Sequence, residues 1–332
     1  MDVRQGRHDR QAGVSGASLA TDAAATVLSS ERAATVRERR TEDTTTLARA
    51  AMGTVFEVLI AGTAPGSDAE ADPLAAAEAA LDVISDWHQR CNRYDPASIV
   101  SHVNRIAPHA RAKVDKEFAQ LLTQASLGSK ATASAFDFTA GSPKPDHNAV
   151  WADTDGVEFR RPDIAIDLGG IAKGWAIDAA TDLLRELGVT RALIHGGRSS
   201  FRAIGGPWPI NIEHDITIQL ENQALSVSAP HHRNAHGETD LASPRNATPH
   251  VIDPRTGKPA PNPPAWAAAI MNDDGFPWIA TTVDIWSTGL LVLHPIEQES
   301  HAHAHAEARS LRDLFGLRLI TPSRSNQLGD HP

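Results

Sequence analysis

An α+β fold is what this sequence predicts, and three observations carry it. Segments with strand character and segments with helical periodicity alternate only loosely, which argues against a regular doubly wound sheet. The apolar stretches at residues 55–61 and 289–293 are core-sized, and none approaches the roughly 18 residues of a membrane span. Across 332 residues, 41% hydrophobic and 22% charged side chains are ordinary globular usage, so a globally disordered or collagen-like chain is excluded.

The first element is an arm. Residues 1–46 are rich in Ala, Thr, Ser, Arg and Glu without hydrophobic periodicity, and read as disordered or loosely helical. The arm lacks a basic stretch followed by the roughly 7–15 apolar residues of a secretory signal. A folded part over 47–322, either one domain or two subdomains around one cleft, and a flexible tail over 323–332 complete the expected organisation.

Residues 52–60, with Val55, Phe56, Val58, Leu59 and Ile60, read as a buried strand. Pro65-Gly66-Ser67-Asp68 is a turn. A helix follows over 73–93, with Leu74, Ala77, Leu81, Ile84 and His88 at three-four spacing and proline in its first turn. After a polar loop at 92–98, short and longer helices are expected at 99–104 and 116–131. Residues 163–168 alternate as a strand and run into Gly169-Gly170. A helix over 173–187 ends at Gly188, which suits a left-handed position past a helix end. Strands are expected at 192–195 and 208–212, a His- and Pro-rich loop at 230–249, helices at 278–293 and 301–315, and a last strand at 317–321.

Charge and cysteine usage narrow the function. A net charge of −10 repels a polyphosphate backbone, so non-specific nucleic-acid binding is excluded. The single cysteine, Cys91, excludes an internal disulfide and a cysteine-based zinc cage. That lone thiol and the missing signal point to the cytoplasm.

Five constellations could carry chemistry. In Asp167-Leu168-Gly169-Gly170-Ile171-Ala172-Lys173-Gly174, two glycines and a helix start precede a lysine. Such a turn lets backbone approach an anion, with lysine as a point charge; a plain strand-to-helix turn is the alternative. Asp284, Ser287 and Thr288 share one helix face and present oxygens suited to a hard cation, or simply form a polar face. His250 stands before Val251-Ile252 and the Asp253-Pro254 turn, either held near a site or structural. His301 and His305 share a helix face, as a metal-binding tract or a solvated helix start. Tyr94, the only tyrosine, could stack on a ring ligand or anchor its loop.

In order, Met52-Gly53-Thr54, Tyr94 through Ser98 and Asn104, Ala135-Phe136-Asp137, Asp167 through Gly174, Asp178, Gly196-Gly197, His250 through Pro259, and Asp284 with Ser287-Thr288 form a set. This set resembles the family of FAD:protein FMN transferases, the ApbE-like flavin transferases, across residues 48–322. The resemblance implies a fold of mixed and antiparallel sheets with packed helices, binding FAD and a divalent cation, usually magnesium. Met52, Tyr94, Ala135, Phe136, Asp137, Asp167, Lys173 and Ile252 fall where the family contacts FAD. The Gly170 carbonyl, Asp284, Thr288 and Ser287 fall at the cation site. The implied reaction moves FMN from FAD to a threonine hydroxyl of an acceptor protein and releases AMP.

In that reaction Lys173 would stabilise the phosphate oxygens, and His250 would accept the threonine proton. Two segments depart from the family pattern: Gly196-Gly197-Arg198, where Gly-Gly-Asp is usual, and Ser226 through Pro230, where Ser/Thr-Ser-Gly is usual. Many relatives are exported lipoproteins, whereas no lipidation cysteine is found here. Two further readings are a flavin-binding protein without turnover and an FAD pyrophosphatase that releases FMN and AMP. A His-rich metal carrier would rest on the 301–305 tract alone.

Overall fold

A computed structural model describes residues 37–41, 44–213, 216–230, 251–260, 263–293 and 316–321. Its centre is an eight-stranded sheet whose strands lie side by side in chain order. They are β1 (Arg37–Thr41), β2 (Thr44–Ala51), β3 (Thr54–Thr63), β4 (Val189–Gly196), β5 (Ser200–Ile204), β6 (Gln223–Ser228), β7 (Ala267–Asn272) and β8 (Arg318–Ile320). Every neighbouring pair is antiparallel. Between β3 and β4 come helices α1 (Pro73–Cys91), α2 (Ile99–Ile106), α3 (Lys116–Ala131) and α4 (Ala172–Glu186), and α5 (Ile279–Val292) follows β7. The α+β class expected from the sequence is the observed one.

The sheet is covered on both faces, which explains why its central strands read as near-continuous apolar runs. In β4, Ala192 and Ile194 face the helices while Leu193 faces away. In β7, Ala269 and Met271 face the helices, and Ala268 and Ile270 the other side. That other side is closed by a hairpin, Trp208–Glu213 paired with Ile216–Leu220, which buries Trp208, Ile210, Ile212 and Leu220. On the helical side α4 packs against both α1 and α5, and all three pack on the sheet, with Leu81, Ile84, Trp175, Ile177 and Ile285 in one core.

Local signals set the helix ends. Asp72 accepts from the Leu74 and Ala75 N–H groups with Pro73 at the first helical position of α1. Ser98 caps α2 and Asp115 caps α3. Neither α4 nor α5 has a side-chain cap of its own.

The sequence reading places no strand where β5, β6 and β7 run, and it differs from the structure in three further respects. Residues 37–41 and 44–46, expected in the arm, belong to β1 and β2. β1 reads Arg-Glu-Arg-Arg-Thr, a charged edge strand without the alternation that marks a half-buried one. Residues 163–168 are not a strand of any sheet. Side chains stand in for the missing neighbour: Asn104 Oδ1 accepts from the Ile166 N–H at 2.8 Å, and its Nδ2 donates back to the Ile166 carbonyl at 2.9 Å. Ser142 makes a similar exchange with Ala165. The third difference is that Met52 and Gly53 form the turn before β3 rather than its first residues. The expected helix at 301–315, the loop at 231–249 and His250 lie outside the described residues.

Candidate functional site

A cleft of about 970 Å³ opens where the glycine turn, the β2–β3 and β4–β5 turns, β6, α5 and two loops converge. Of the residues singled out from sequence it is lined by Met52, Ala135, Phe136, Asp137, Asp167, Gly170, Lys173, Ile252, Asp284 and Thr288. These come from five separate stretches of chain, brought together by the sheet and the α4–α5 pair.

Each wall has a local cause. Met52 (φ 50) and Gly53 (φ 72) are both left-handed, between the paired residues Ala51 and Thr54. Two such residues make the tight hairpin turn that follows the twist of its strands. The Met52 N–H donates to His88 Nδ1 of α1 at 3.2 Å, which holds the turn against the helix. After α3, Ala133 and Ser134 are also left-handed and turn the chain back, so that Ala135, Phe136 and Asp137 enter the cleft wall. Asp137 is buried. Its oxygens accept from the Thr139 N–H and hydroxyl, at 2.8 and 2.6 Å, and it meets His147 Nδ1 at 3.1 Å. Burial raises the pKa of this carboxyl, but His147 and Thr139 outweigh it and hold the group below its ordinary value.

Asp167 stabilises the glycine turn from within: its Oδ1 accepts from the Gly169 N–H at 2.9 Å, and its other oxygen meets Arg93 at 2.6 Å. Gly170 admits no side chain without displacement, because a Cβ there would stand 3.0 Å from the Phe136 ring; Thr288 lies on the same side. Lys173 follows in the first turn of α4.

The helix start is already occupied. Asp284 Oδ2 accepts from the Gly174 N–H at 2.7 Å and Oδ1 from the Ser200 hydroxyl at 2.8 Å. A donor that the sequence offered to an external anion is therefore spent on a carboxylate, and Lys173 carries the positive charge of this wall. Burial drives the Asp284 carboxyl above its ordinary value, against Lys173, Ser226, Ser200 and the Gly174 N–H.

Around Asp284 lies a set of hydroxyls. Ser287 meets Ser226 and Ser228 at 2.9 Å each, and Ser228 meets Thr288 at 3.5 Å. Ser287 itself is fully buried and is not part of the cleft lining; it ties α5 to β6. Ser200, Ser226 and Ser228 were not anticipated as site residues, because they come from strands far from Asp284 in sequence. The resemblance marked the Ser226–Pro230 segment only as a departure from the family pattern, and nothing in the segment of Ser200 points to the site. The oxygen set that lines the cleft comprises the buried Asp284 carboxylate, the Thr288 hydroxyl and a nearby glycine turn. It fits a hard divalent cation whose shell is completed by phosphate and water. Among the described residues no three His, Cys, Asp or Glu side chains converge as a self-sufficient metal cage.

Tyr94 is the outlier among the sequence candidates. It is 80% exposed and outside the cleft lining, joined to it through Arg93, whose guanidinium lies 4.9 Å from the ring centroid.

The sequence model of the ApbE family matches residues 52–310, most of the chain. The chain belongs to the ApbE family. Among curated relatives, the FAD:protein FMN transferase of Escherichia coli K12 is 32% identical over 145 residues, 40% of this chain. That alignment spans only 38% of the relative's length. The FAD:protein FMN transferase of Haemophilus influenzae is 24% identical over 64% of this chain and 70% of its own. Among solved structures, a flavin transferase ApbE from Vibrio cholerae superposes with a TM-score of 0.64 at 18% identity, covering 88% of this chain and 99% of its own. The ApbE protein of Thermotoga maritima gives 0.65 at 21%, covering 88% and 98%. The ApbE fold is thus shared over nearly the whole of those structures. Among the described residues no helix is long and apolar enough to cross a membrane.

Proposed function

We propose that this ApbE-family chain is an FAD:protein FMN transferase, moving FMN from FAD to a threonine hydroxyl of an acceptor protein and releasing AMP, with magnesium as the cation. The observation that carries this reading is the single cleft lined by Met52, Phe136, Asp137, Asp167, Gly170, Lys173, Asp284 and Thr288. In it an apolar wall, a cation and an oxygen donor set stand side by side, as a flavin pyrophosphate requires.

Met52, Ala135, Phe136 and Ile252 supply apolar surface for a ring system, and Tyr94 at the rim could cover it through Arg93. Asp137 and Asp167 line the same wall. Asp284, Thr288 and the Gly170 carbonyl are the residues that would hold magnesium, with Ser287 keeping α5 in register behind them. When bound, that ion neutralises charge that builds on the departing phosphate. Lys173 acts on the same oxygens from the first turn of α4.

Atoms balance simply. The threonine oxygen bonds to the FMN phosphorus, the bond from that phosphorus to the bridging oxygen breaks, and AMP leaves with that oxygen. The threonine proton passes to a base, for which His250 is the sequence candidate. The compartment carried over from the sequence as part of this proposal is the cytoplasm. Burial pushes the lone thiol of Cys91 up to about 12, which leaves it unreactive.

The test is to incubate the full chain with FAD, magnesium and a flavin-acceptor domain, and to read flavin fluorescence on a denaturing gel. A fluorescent acceptor is expected. FAD bound with no labelled acceptor and no AMP overturns the reading in favour of a flavin-binding protein. AMP released without any acceptor marks hydrolysis instead.

A further inference from the structure

The cleft is lined by six charged side chains: Arg93, Lys173, Arg198, Asp137, Asp167 and Asp284. Four of them are neutralised or bonded within the protein. Arg93 pairs with Asp167 at 2.6 Å, Asp137 holds Thr139 and His147, and Asp284 holds the Gly174 N–H and Ser200. Lys173 and Arg198 make no hydrogen bond or ion pair among the described residues. The cleft therefore holds two cations without a hydrogen bond or salt bridge; Lys173 acts through space on Asp284, and Arg198 is the one for which the proposed reaction has so far given no role.

Arg198 is carried by a turn whose ends are fixed. The Gly197 N–H donates to the Val55 carbonyl at 2.8 Å, and Gly197 (φ +61) packs so closely on Thr54 that a Cβ would overlap its hydroxyl. On the other side the Val227 N–H donates to the Ser199 carbonyl at 2.7 Å, and Ser200 donates to Asp284. One carboxylate thus joins the two cation-bearing segments. Asp284 binds Ser200, two residues after Arg198, with one oxygen, and Gly174, next to Lys173, with the other.

We infer that Arg198 is a second phosphate-binding residue of this cleft, which with Lys173 makes the pocket select a flavin carrying a pyrophosphate over one that lacks it. The inference rests on the reading that the cleft takes FAD. A pyrophosphate diester presents two adjacent negative charges, and two cations carried by segments that one carboxylate joins suit a ligand with two charges. A guanidinium adds a planar fork of donors to phosphate oxygens that an ammonium cannot supply.

The test is binding, separate from turnover: the full chain is titrated with FAD and with riboflavin, without added divalent cation, by flavin fluorescence at low and high salt. The parent is expected to bind FAD at least about tenfold tighter than riboflavin, with a preference that shrinks at high salt. Arg198→Gln should lose about tenfold in FAD affinity and leave riboflavin unchanged, and Arg198→Lys should recover part of the loss. Arg198 is exposed, so neither change endangers folding. An unchanged FAD affinity, or equal losses for both flavins, overturns the inference while leaving the transferase reading intact. A folded parent that binds no FAD even with magnesium added overturns both.

Discussion

Asp178 and Asp284 cap each other's helices. Asp178, inside α4, accepts from the Ala280 and Thr281 N–H groups at the start of α5, at 3.0 and 2.8 Å, and from the Thr281 hydroxyl at 2.7 Å. Asp284, inside α5, accepts from the Gly174 N–H at the start of α4. Each helix thereby satisfies orphan donors of the other with a charge of the sign its N-terminus favours. The exchange locks the two helices in register, and the lining residues Lys173, Asp284 and Thr288 ride on it.

The exchange makes stability depend on pH. Burial pushes the Asp178 carboxyl from 3.8 up to about 6, against Arg202 and the donors of α5. A folded value above the unfolded one means that the folded chain binds this proton more tightly. The stabilising contribution is full below the unfolded value and is lost as the pH rises toward the folded one. The urea midpoint of the parent, measured against that of Asp178→Asn, should therefore fall relative to the variant from 3.8 to about 6 and then level off. Loss of one cap gives the variant a constant offset. A flat difference across that window would show that Asp178 does not titrate there.

Local signals were legible in the sequence, and remote ones were not. The three-four spacing of Leu81 and Ile84, with Asp72 and Pro73 ahead of them, marks α1 from its own residues. Asp284 and Thr288 were legible as partners because one helix turn brings them together. Ser200, Ser226 and Ser228 reach the same spot only through the pairing of β5 with β6, which no local pattern encodes. Residues 163–168 misled for the opposite reason. Their alternation is real, with Ile164, Ile166 and Leu168 buried, yet Asn104 and Ser142 take the role of the neighbouring strand.

Met52 trades stability for its position in the cleft. Its left-handed conformation in a two-residue hairpin turn favours Asn over Met, and costs about 1 kcal/mol for a residue with an ordinary side chain. Met52→Asn should therefore raise the melting temperature, by the equivalent of about 0.5–1 kcal/mol, while weakening FAD binding. Thermal unfolding and a flavin titration on the same preparation check both halves. An affinity equal to the parent's would remove Met52 from the flavin wall.

Gly174 sets how closely α4 and α5 approach. A Cβ there would overlap the Ala280 carbonyl group and the Thr281 nitrogen, which are backbone atoms that cannot rotate away. Gly174→Ala should push the helices apart, cost about 1–3 kcal/mol and weaken the bond to Asp284. Gly53→Ala is the control: nothing lies within 4 Å of its Cβ, and only the left-handed strain at φ +72, about 1 kcal/mol, is paid. Chemical denaturation of both variants should rank Gly174→Ala as the less stable. The reverse order would mean that the helix contact is slack.

Asp284 has two roles, and they can be separated. Its carboxylate caps α4 and is also the one fixed negative charge among the proposed cation ligands, Thr288 and the Gly170 carbonyl being neutral. Asp284→Ala removes both, and should lower magnesium-dependent AMP release at least roughly hundredfold, the scale of one lost electrostatic stabiliser. Excess magnesium should restore part of the rate if cation binding is what failed. Asp284→Asn keeps an oxygen for the Gly174 N–H, so it should recover much of the stability and little of the rate. Thr288→Ala should fall between the parent and Asp284→Ala, since water can replace one neutral ligand. FAD should still bind all three variants, because Met52, Phe136 and Ile252 are untouched. Parental rate and parental magnesium dependence in Asp284→Ala would leave the carboxylate as a helix cap alone and put the cation elsewhere.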